Sequence, residues 1–175
     1  MIITDLNALR VKCDDASSDE VGSIIELLEK ELQDSNKNGK PGVGLAAPQI
    51  GIAKKVSIIR VAQNHEFNLN LVNCRIDKYF DLGVFKDEGC LSFPDRSENT
   101  NRYNEIYVKD NLLYPNNFIA TGLLAVICQH EIDHLYQKVF IDHLVEKQIL
   151  KIKIGPNDKC HCGSNLKYKK CCGKV

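Results

Sequence analysis

His130, Glu131 and His134 spell His-Glu-x-x-His, and no other feature constrains this chain as strongly. On a helix, positions i and i+4 project from one face, so both imidazoles can reach one divalent ion while Glu131 is held beside the ion's open position. The pattern therefore asks for a helix that presents this face to a site, and for a second segment that brings a third ligand to it. Cys90, directly after Glu88-Gly89, is the upstream candidate. Two imidazoles and one thiolate leave a tetrahedral ion one position for water, as in a catalytic site, whereas a fourth protein ligand would close it. Glu131 can then take that water's proton and hand it to a leaving amine. The implied class is a metal-dependent hydrolase.

A chain of 175 residues, 43% hydrophobic and 26% charged, is long enough for one buried core and too short for two large domains. The apolar run Leu123 to Cys128 is far shorter than a membrane span, and Met1 to Arg10 lacks the features of a signal peptide. A cytoplasmic protein without a membrane partner, and a monomer, is expected. In that reducing setting the 8 cysteines favour metal ligation or free thiols over disulfides. Cys160, Cys162, Cys171 and Cys172 crowd the end of the chain; Cys13, Cys74 and Cys128 are scattered and read as small core or surface residues. The net charge of +0 conceals a Lys-rich end, in which Asp158 is the only acid after Glu146. Such an end suits a polyanionic partner, and also plain solubility.

Val21, Ile24, Ile25, Leu28 and Leu32 recur at helical spacing within Ser18 to Gln33, with Ser17, Ser18 or Asp19 as cap. A polar loop from Asp34 to Gly42 should follow. Lys55 to Val61 and Glu66 to Val72 read as strands around a turn at Gln63-Asn64-His65, with further short extended segments at Arg75 to Asp81, Gly83 to Asp87 and Tyr103 to Lys109. The apolar run from Gly122 through Tyr136, capped by Thr121, is the central helix. The expected class is α+β: antiparallel strands packed around the helix that carries His-Glu-x-x-His, plus a small zinc-stabilised tail. A composition shift at Gly155-Pro156 divides the chain into residues 1–154 and 155–175.

Three segments acquire meaning together: Gly42-Val43-Gly44-Leu45-Ala46-Ala47-Pro48-Gln49, Glu88-Gly89-Cys90-Leu91-Ser92 and His130-Glu131-Ile132-Asp133-His134-Leu135. In this order and spacing the chain resembles the peptide deformylases over most of residues 1 to about 150. The resemblance implies removal of the N-formyl group from the initiator methionine of nascent peptides, with formate released and the peptide lying as an added strand between the first two segments. It implies Fe(2+) held by Cys90, His130 and His134, with Zn, Ni or Co able to substitute; the donor types alone fit iron or zinc equally. It also assigns the Gln49 side-chain amide and the Leu91 backbone N–H to the developing oxyanion beside the base Glu131. Gln49 satisfying its own loop, and Leu91 serving the core, are the plainer alternatives. For the methionine pocket and peptide strand the candidates are Val43, Gly44, Gly89, Leu123, Val126 and Ile127, and core packing is the equally good alternative for Val43, Leu123, Val126 and Ile127. Asp133 and Glu88 are the carboxylates nearest in sequence that could orient a ligand imidazole. The chain departs from the family pattern at Cys74, where a proline is common, at the polar stretch Asp95 to Arg102, and at Lys86, near a position that is often apolar and pocket-facing.

At the end of the chain, Cys160, Cys162, Cys171 and Cys172 can surround one Zn(2+), with Gly163, Ser164 and Asn165 forming a turn. Residues 155–175 resemble the SEC-C motif, a zinc-binding module, and Lys159, Lys167, Lys169, Lys170 and Lys174 suit docking on the ribosome through rRNA phosphates or an acidic protein patch. Two other readings compete with a deformylase: a peptidase built on the same His-Glu-x-x-His, and an inactive docking module. Cys90 and the Gln49 segment argue against the first, and the complete set of catalytic groups against the second.

Overall fold

The computed structural model describes residues 1–61, 67–109, 117–145, 156–157, 159, 164 and 166–171. The chain divides into two compact units, Met1–Val145 and Glu146–Val175. The first is α+β. After a short helix α1 (Leu6–Leu9) comes α2 (Ser18–Lys37), then β1 (Gly44–Ala46), β2 (Val56–Val61), β3 (Phe67–Val72), β4 (Arg75–Gly89), β5 (Ser97–Lys109), β6 (Asn117–Thr121) and α3 (Gly122–Leu135). The strands form two 3-stranded antiparallel sheets, ordered β1-β2-β3 and β4-β5-β6.

Helix α2 follows its apolar spacing. Val21, Ile24, Leu28 and Leu32 are buried against Leu45, Val56, Ile58 and Val72 of the first sheet. Ser17 is the N-cap residue, and the Glu20 carboxylate reaches back to its N–H at 3.0 Å. The helix runs on to Lys37, past the end that apolar spacing alone indicates. There Ser35 turns inward and its hydroxyl donates to the Lys40 carbonyl, and Gly39 at φ +75° reverses the chain.

Helix α3 lies between the sheets. Ala125, Ile127, Cys128 and Ile132 pack with Ile59 and Leu71 of the first sheet and with Ile106, Val108 and Ala120 of the second. Because Ile58 faces α2 and Ile59 faces α3, the alternation of a strand separates two cores across β2. A helix covered on most sides needs an apolar surface most of the way round, and α3 has one.

Two expectations change, and one strand was not expected. Arg75–Asp81 and Gly83–Asp87 are one strand, β4, in which Asp81 and Asp87 take φ +56° and the pairing with β5 shifts between Phe85 and Glu88. Strand β5 begins at Ser97 rather than Tyr103. Its first half reads as loop because it is polar, yet Thr100 and Arg102 are buried there. Strand β6 precedes α3 without an apolar alternation long enough to announce it, and Thr121 stands at the helix N-cap without a side-chain capping bond. The turn at Gln63-Asn64-His65 lies outside the described residues.

In the second unit Lys159 bridges Lys167, the Lys169 N–H donates to the Pro156 carbonyl at 3.0 Å, and Tyr168–Lys170 form a 3-10 turn. The Ser164 hydroxyl donates to Cys171 Sγ at 3.2 Å. Cys160, Cys162 and Cys172 lie outside the described residues.

Candidate metal centre and active site

The end of β4 and the C-terminal half of α3 meet at three donors. Cys90, His130 and His134 each offer a ligand atom, and these atoms all lie within 4.8 Å of one another. Cys90 Sγ is 3.4 Å from His134 Nε2. Two adjacent turns of α3 supply the imidazoles, and the turn that follows Gly89 supplies the thiol.

Glu88 is the carboxylate that holds His130, one of the three candidate donors. Its Oε1 stands 2.6 Å from His130 Nδ1, and it also accepts from Arg102 (Nε, 2.8 Å; Nη2, 2.6 Å) and from the Thr100 hydroxyl. Burial pushes its carboxyl upward, but the hydrogen bonds from His130 and Arg102 outweigh burial and hold it far below the usual range. An ionised carboxylate only accepts, so His130 Nδ1 carries the hydrogen and Nε2 is left to bind a ligand. Asp133 turns elsewhere: its Oδ2 accepts from Arg102 Nη1 at 2.6 Å and lies 2.9 Å from His143 Nε2. Of the two carboxylates left open by sequence, Glu88 is the one on a candidate ligand imidazole.

The donors suit a divalent cation. Burial lowers the His130 pKa, but contacts with Cys90 and Glu88 more than reverse this, so surroundings that favour a proton there also favour a metal ion. His134 is lowered to about 3 by burial and by the neighbouring His130, which keeps it neutral, as a ligand imidazole must be. Its Nδ1 has no hydrogen-bond partner among the described residues.

Glu131 is 4% exposed, with Oε2 buried and unpartnered among the described residues. Burial raises it to about 7, against the opposing pull of His130 and with a further push from Glu88. A carboxyl poised near neutrality can both accept and return a proton. Gly44 passes so near that a Cβ on it would lie 2.7 Å from Glu131 Cδ, so this position tolerates no side chain while Glu131 keeps its place.

Gln49 is buried in the 3-10 turn Ala47–Ile50, which Gly51 ends at φ +84°. Its Oε1 accepts from the Ala46 N–H at 2.8 Å, fixing the amide so that Nε2 points to Cys90 Sγ (3.4 Å) and Ser92 Oγ (3.1 Å). Loop satisfaction and a place at the site are thus two ends of one side chain. The Leu91 side chain packs beside the α2 core and against Gly42, where a Cβ would meet it at 2.6 Å; its backbone N–H follows Cys90 directly.

A cavity of about 630 Å³ opens over these groups. Val43, Gly44, Gly89, Leu123, Val126 and Ile127 all line it, together with Gln49, Cys90, Leu91, His130 and Glu131. Val43 and Leu123 are 45% and 43% exposed, so they are wall rather than core, whereas Val126 and Ile127 are buried and serve both. Lys86 is not part of the lining. Phe85 and Asp87 are, and the pairing with β5 shifts between Phe85 and Glu88. Phe85, Phe93, Ser92, Thr100 and Arg102 are site or supporting residues that sequence reading missed. No sequence signal marked the last two, which stand in a polar run before Tyr103.

The family described as Polypeptide deformylase matches residues 2–149, and the SEC-C motif matches residues 157–174. The peptide deformylase 1 of Pseudomonas syringae pv. tomato is 37% identical over 115 residues, covering 65% of this chain and 68% of the relative. The peptide deformylase of Syntrophomonas wolfei is 42% identical over 113 residues, covering 63% and 72% respectively. The crystal structure of a peptide deformylase from Legionella pneumophila superposes with a TM-score of 0.71 at 30% identity, covering 83% of this chain and 86% of that one.

Proposed function

The chain belongs to the peptide deformylase family, a family of metal-dependent enzymes that take the N-formyl group from the terminal methionine of nascent polypeptides, and we propose here which of its residues do so. The observation that supports the assignment is the convergence of Cys90, His130 and His134 beside a buried, near-neutral Glu131 on one cavity. Cys90, His130 and His134 hold the metal. When bound, the ion supplies Lewis acidity, polarising the formyl oxygen and easing deprotonation of the attacking water. Glu131 takes the water's proton as the water oxygen bonds to the formyl carbon. The Gln49 Nε2 donor and the Leu91 N–H stabilise the charge growing on the formyl oxygen. Glu131 then returns the proton to the methionine nitrogen as the C–N bond breaks, leaving a free amine and formic acid, which ionises to formate.

The peptide enters as a strand between the β1 edge at Val43-Gly44 and the Gly89 end of β4, so main-chain hydrogen bonds serve any sequence. Leu123, Val126 and Ile127 receive the methionine side chain. Fe(2+) is the proposed native ion, with Zn, Ni or Co able to take its place; the Cys90 thiolate then makes the iron form sensitive to air. Residues 1–154 form the catalytic domain and residues 155–175 a tail in which Cys160, Cys162, Cys171 and Cys172 bind Zn(2+). The tail's lysines dock the enzyme on the ribosome, and the enzyme works in the cytoplasm as a monomer. Among the described residues no helix is long and apolar enough to cross a membrane.

Anaerobic incubation of the iron-loaded chain with a formyl-methionyl tripeptide tests the function. Formate with an equal amount of free amine is expected. Cleavage of an internal peptide bond would mean a peptidase, and no product an inactive fold.

A further inference from the structure

Arg102 is 2% exposed on β5 and belongs to neither the metal ligands nor the cavity lining. One edge of its guanidinium grips Glu88, with Nε 2.8 Å from Oε2 and Nη2 2.6 Å from Oε1, and its remaining nitrogen, Nη1, lies 2.6 Å from Asp133 Oδ2. Glu88 holds His130 through Nδ1, and Asp133 is the residue of α3 just before His134. One cation therefore ties the strand that leads to Cys90 to the helix that carries both imidazoles. We infer that Arg102 is a positioning residue for the metal centre, acting on His130 through Glu88 and on the His134 turn of α3 through Asp133; the inference rests on the metal-ligand assignment proposed above.

The geometry explains why the residue is arginine. Three nitrogens in one plane meet two carboxylates at once, which the single ammonium of lysine cannot reproduce. Thr100 supplies a further donor to Glu88 from the same strand, and His143, in the 3-10 turn Phe140–His143, stands against Asp133 from the other side. Arg102, Thr100 and His143 thus converge on two carboxylates whose directions set those of the ligands. A buried ion pair kept only for folding would affect stability; a positioning device also governs how well the ion is held.

The test uses Arg102→Lys in the full chain, which keeps the charge and loses the fork. Cobalt affinity by chelator competition, the visible spectrum of the cobalt form, the melting temperature, and kcat and KM on a formyl-methionyl tripeptide are measured together. The expected result is a folded protein whose metal affinity falls about 10- to 100-fold. Its cobalt bands shift and kcat falls, while KM stays within about twofold because the cavity walls are unchanged. Adding Glu88→Gln should cost less in the Arg102→Lys background than in the wild type, since both act through one imidazole. A lower melting temperature with unchanged metal affinity and spectrum would overturn the inference and leave Arg102 a scaffold residue. Should Arg102→Lys not fold, Thr100→Val removes only the hydroxyl on Glu88. Metal affinity lowered by about threefold or more would then support the device, and unchanged affinity would overturn it. The affinity and spectral readouts need no turnover, so failure of the wild type to release formate would count against the deformylase mechanism and not against this positioning role.

Discussion

The β1-β2-β3 sheet buries Leu45, Val56, Ile58 and Val72 against α2, whereas the β4-β5-β6 sheet buries Glu88, Thr100 and Arg102 near the cavity and only further along offers Ile106, Val108 and Ala120 to α3. One region is held by apolar area, which accumulates without regard to direction. The other is held by hydrogen bonds and charge, which are costly unless every partner is in place. A chain can tolerate partial repacking in the first and keep its chemistry. In the second, the groups that hold the strand to the helix are also those that aim the ligands, so stability and function are joined there.

Substitutions that separate the two regions sharpen the contrast. The largest effect is expected from Glu131→Gln: turnover drops by roughly a thousandfold or more while metal content and fold are retained, because the proton carrier is lost and the ligand set is not. Formate release within about tenfold of wild type from a metal-loaded variant would remove Glu131 from the role of base. Gly44→Ala comes next. The added Cβ must displace the Glu131 carboxyl, so kcat is expected to fall by about 10- to 100-fold with the metal still bound. Wild-type kcat in this variant would show that the carboxyl has room to move without cost. Leu28→Ala, in the apolar region, reverses the pattern: stability falls by about 2–5 kcal/mol in denaturant titration, with kcat per folded molecule unchanged. If activity fell in proportion at temperatures where the variant is fully folded, the two regions would not be separable. Deleting residues 155–175 should do least, leaving kcat/KM on a free tripeptide within about twofold. Its effect belongs instead to ribosome association, which is expected to weaken and, in the full chain, to fall steeply with salt. Equal ribosome binding by both chains at low salt would end the docking proposal.

The same contrast explains what could be read in the sequence. Helix α2 and strands β2 and β3 were legible because apolar periodicity reports burial directly. His130, Glu131 and His134 were legible as one group because His-Glu-x-x-His fixes their relation on one helix, whereas Cys90 comes from a separate segment. Gln49 and Leu91 were candidates through resemblance alone, and the fixed Gln49 amide now gives one of them a physical reason. Arg102 and Thr100 were hidden, since a buried polar residue is recognisable only through the partner that meets it, and Glu88 lies on another strand. The start of β5 was lost for the same reason: polar side chains turned inward break the alternation that marks a strand. Lys86 drew attention through resemblance to the family pattern, whereas its neighbours Phe85 and Asp87 are the residues that line the cavity.

Cys90, His130 and His134 are proposed to hold one catalytic ion. That assignment is tested most directly by comparing wild type and Cys90→Ala, both prepared without oxygen and truncated after Ile154 so that the tail thiolates are absent, for metal bound per chain and formate released. About one ion per wild-type chain is expected, with formate released from a formyl-methionyl tripeptide, and a Cys90→Ala protein that folds but loses most of its metal and its turnover together. Full metal occupancy and an undiminished rate in Cys90→Ala would contradict the assignment, because another residue would then be the third ligand.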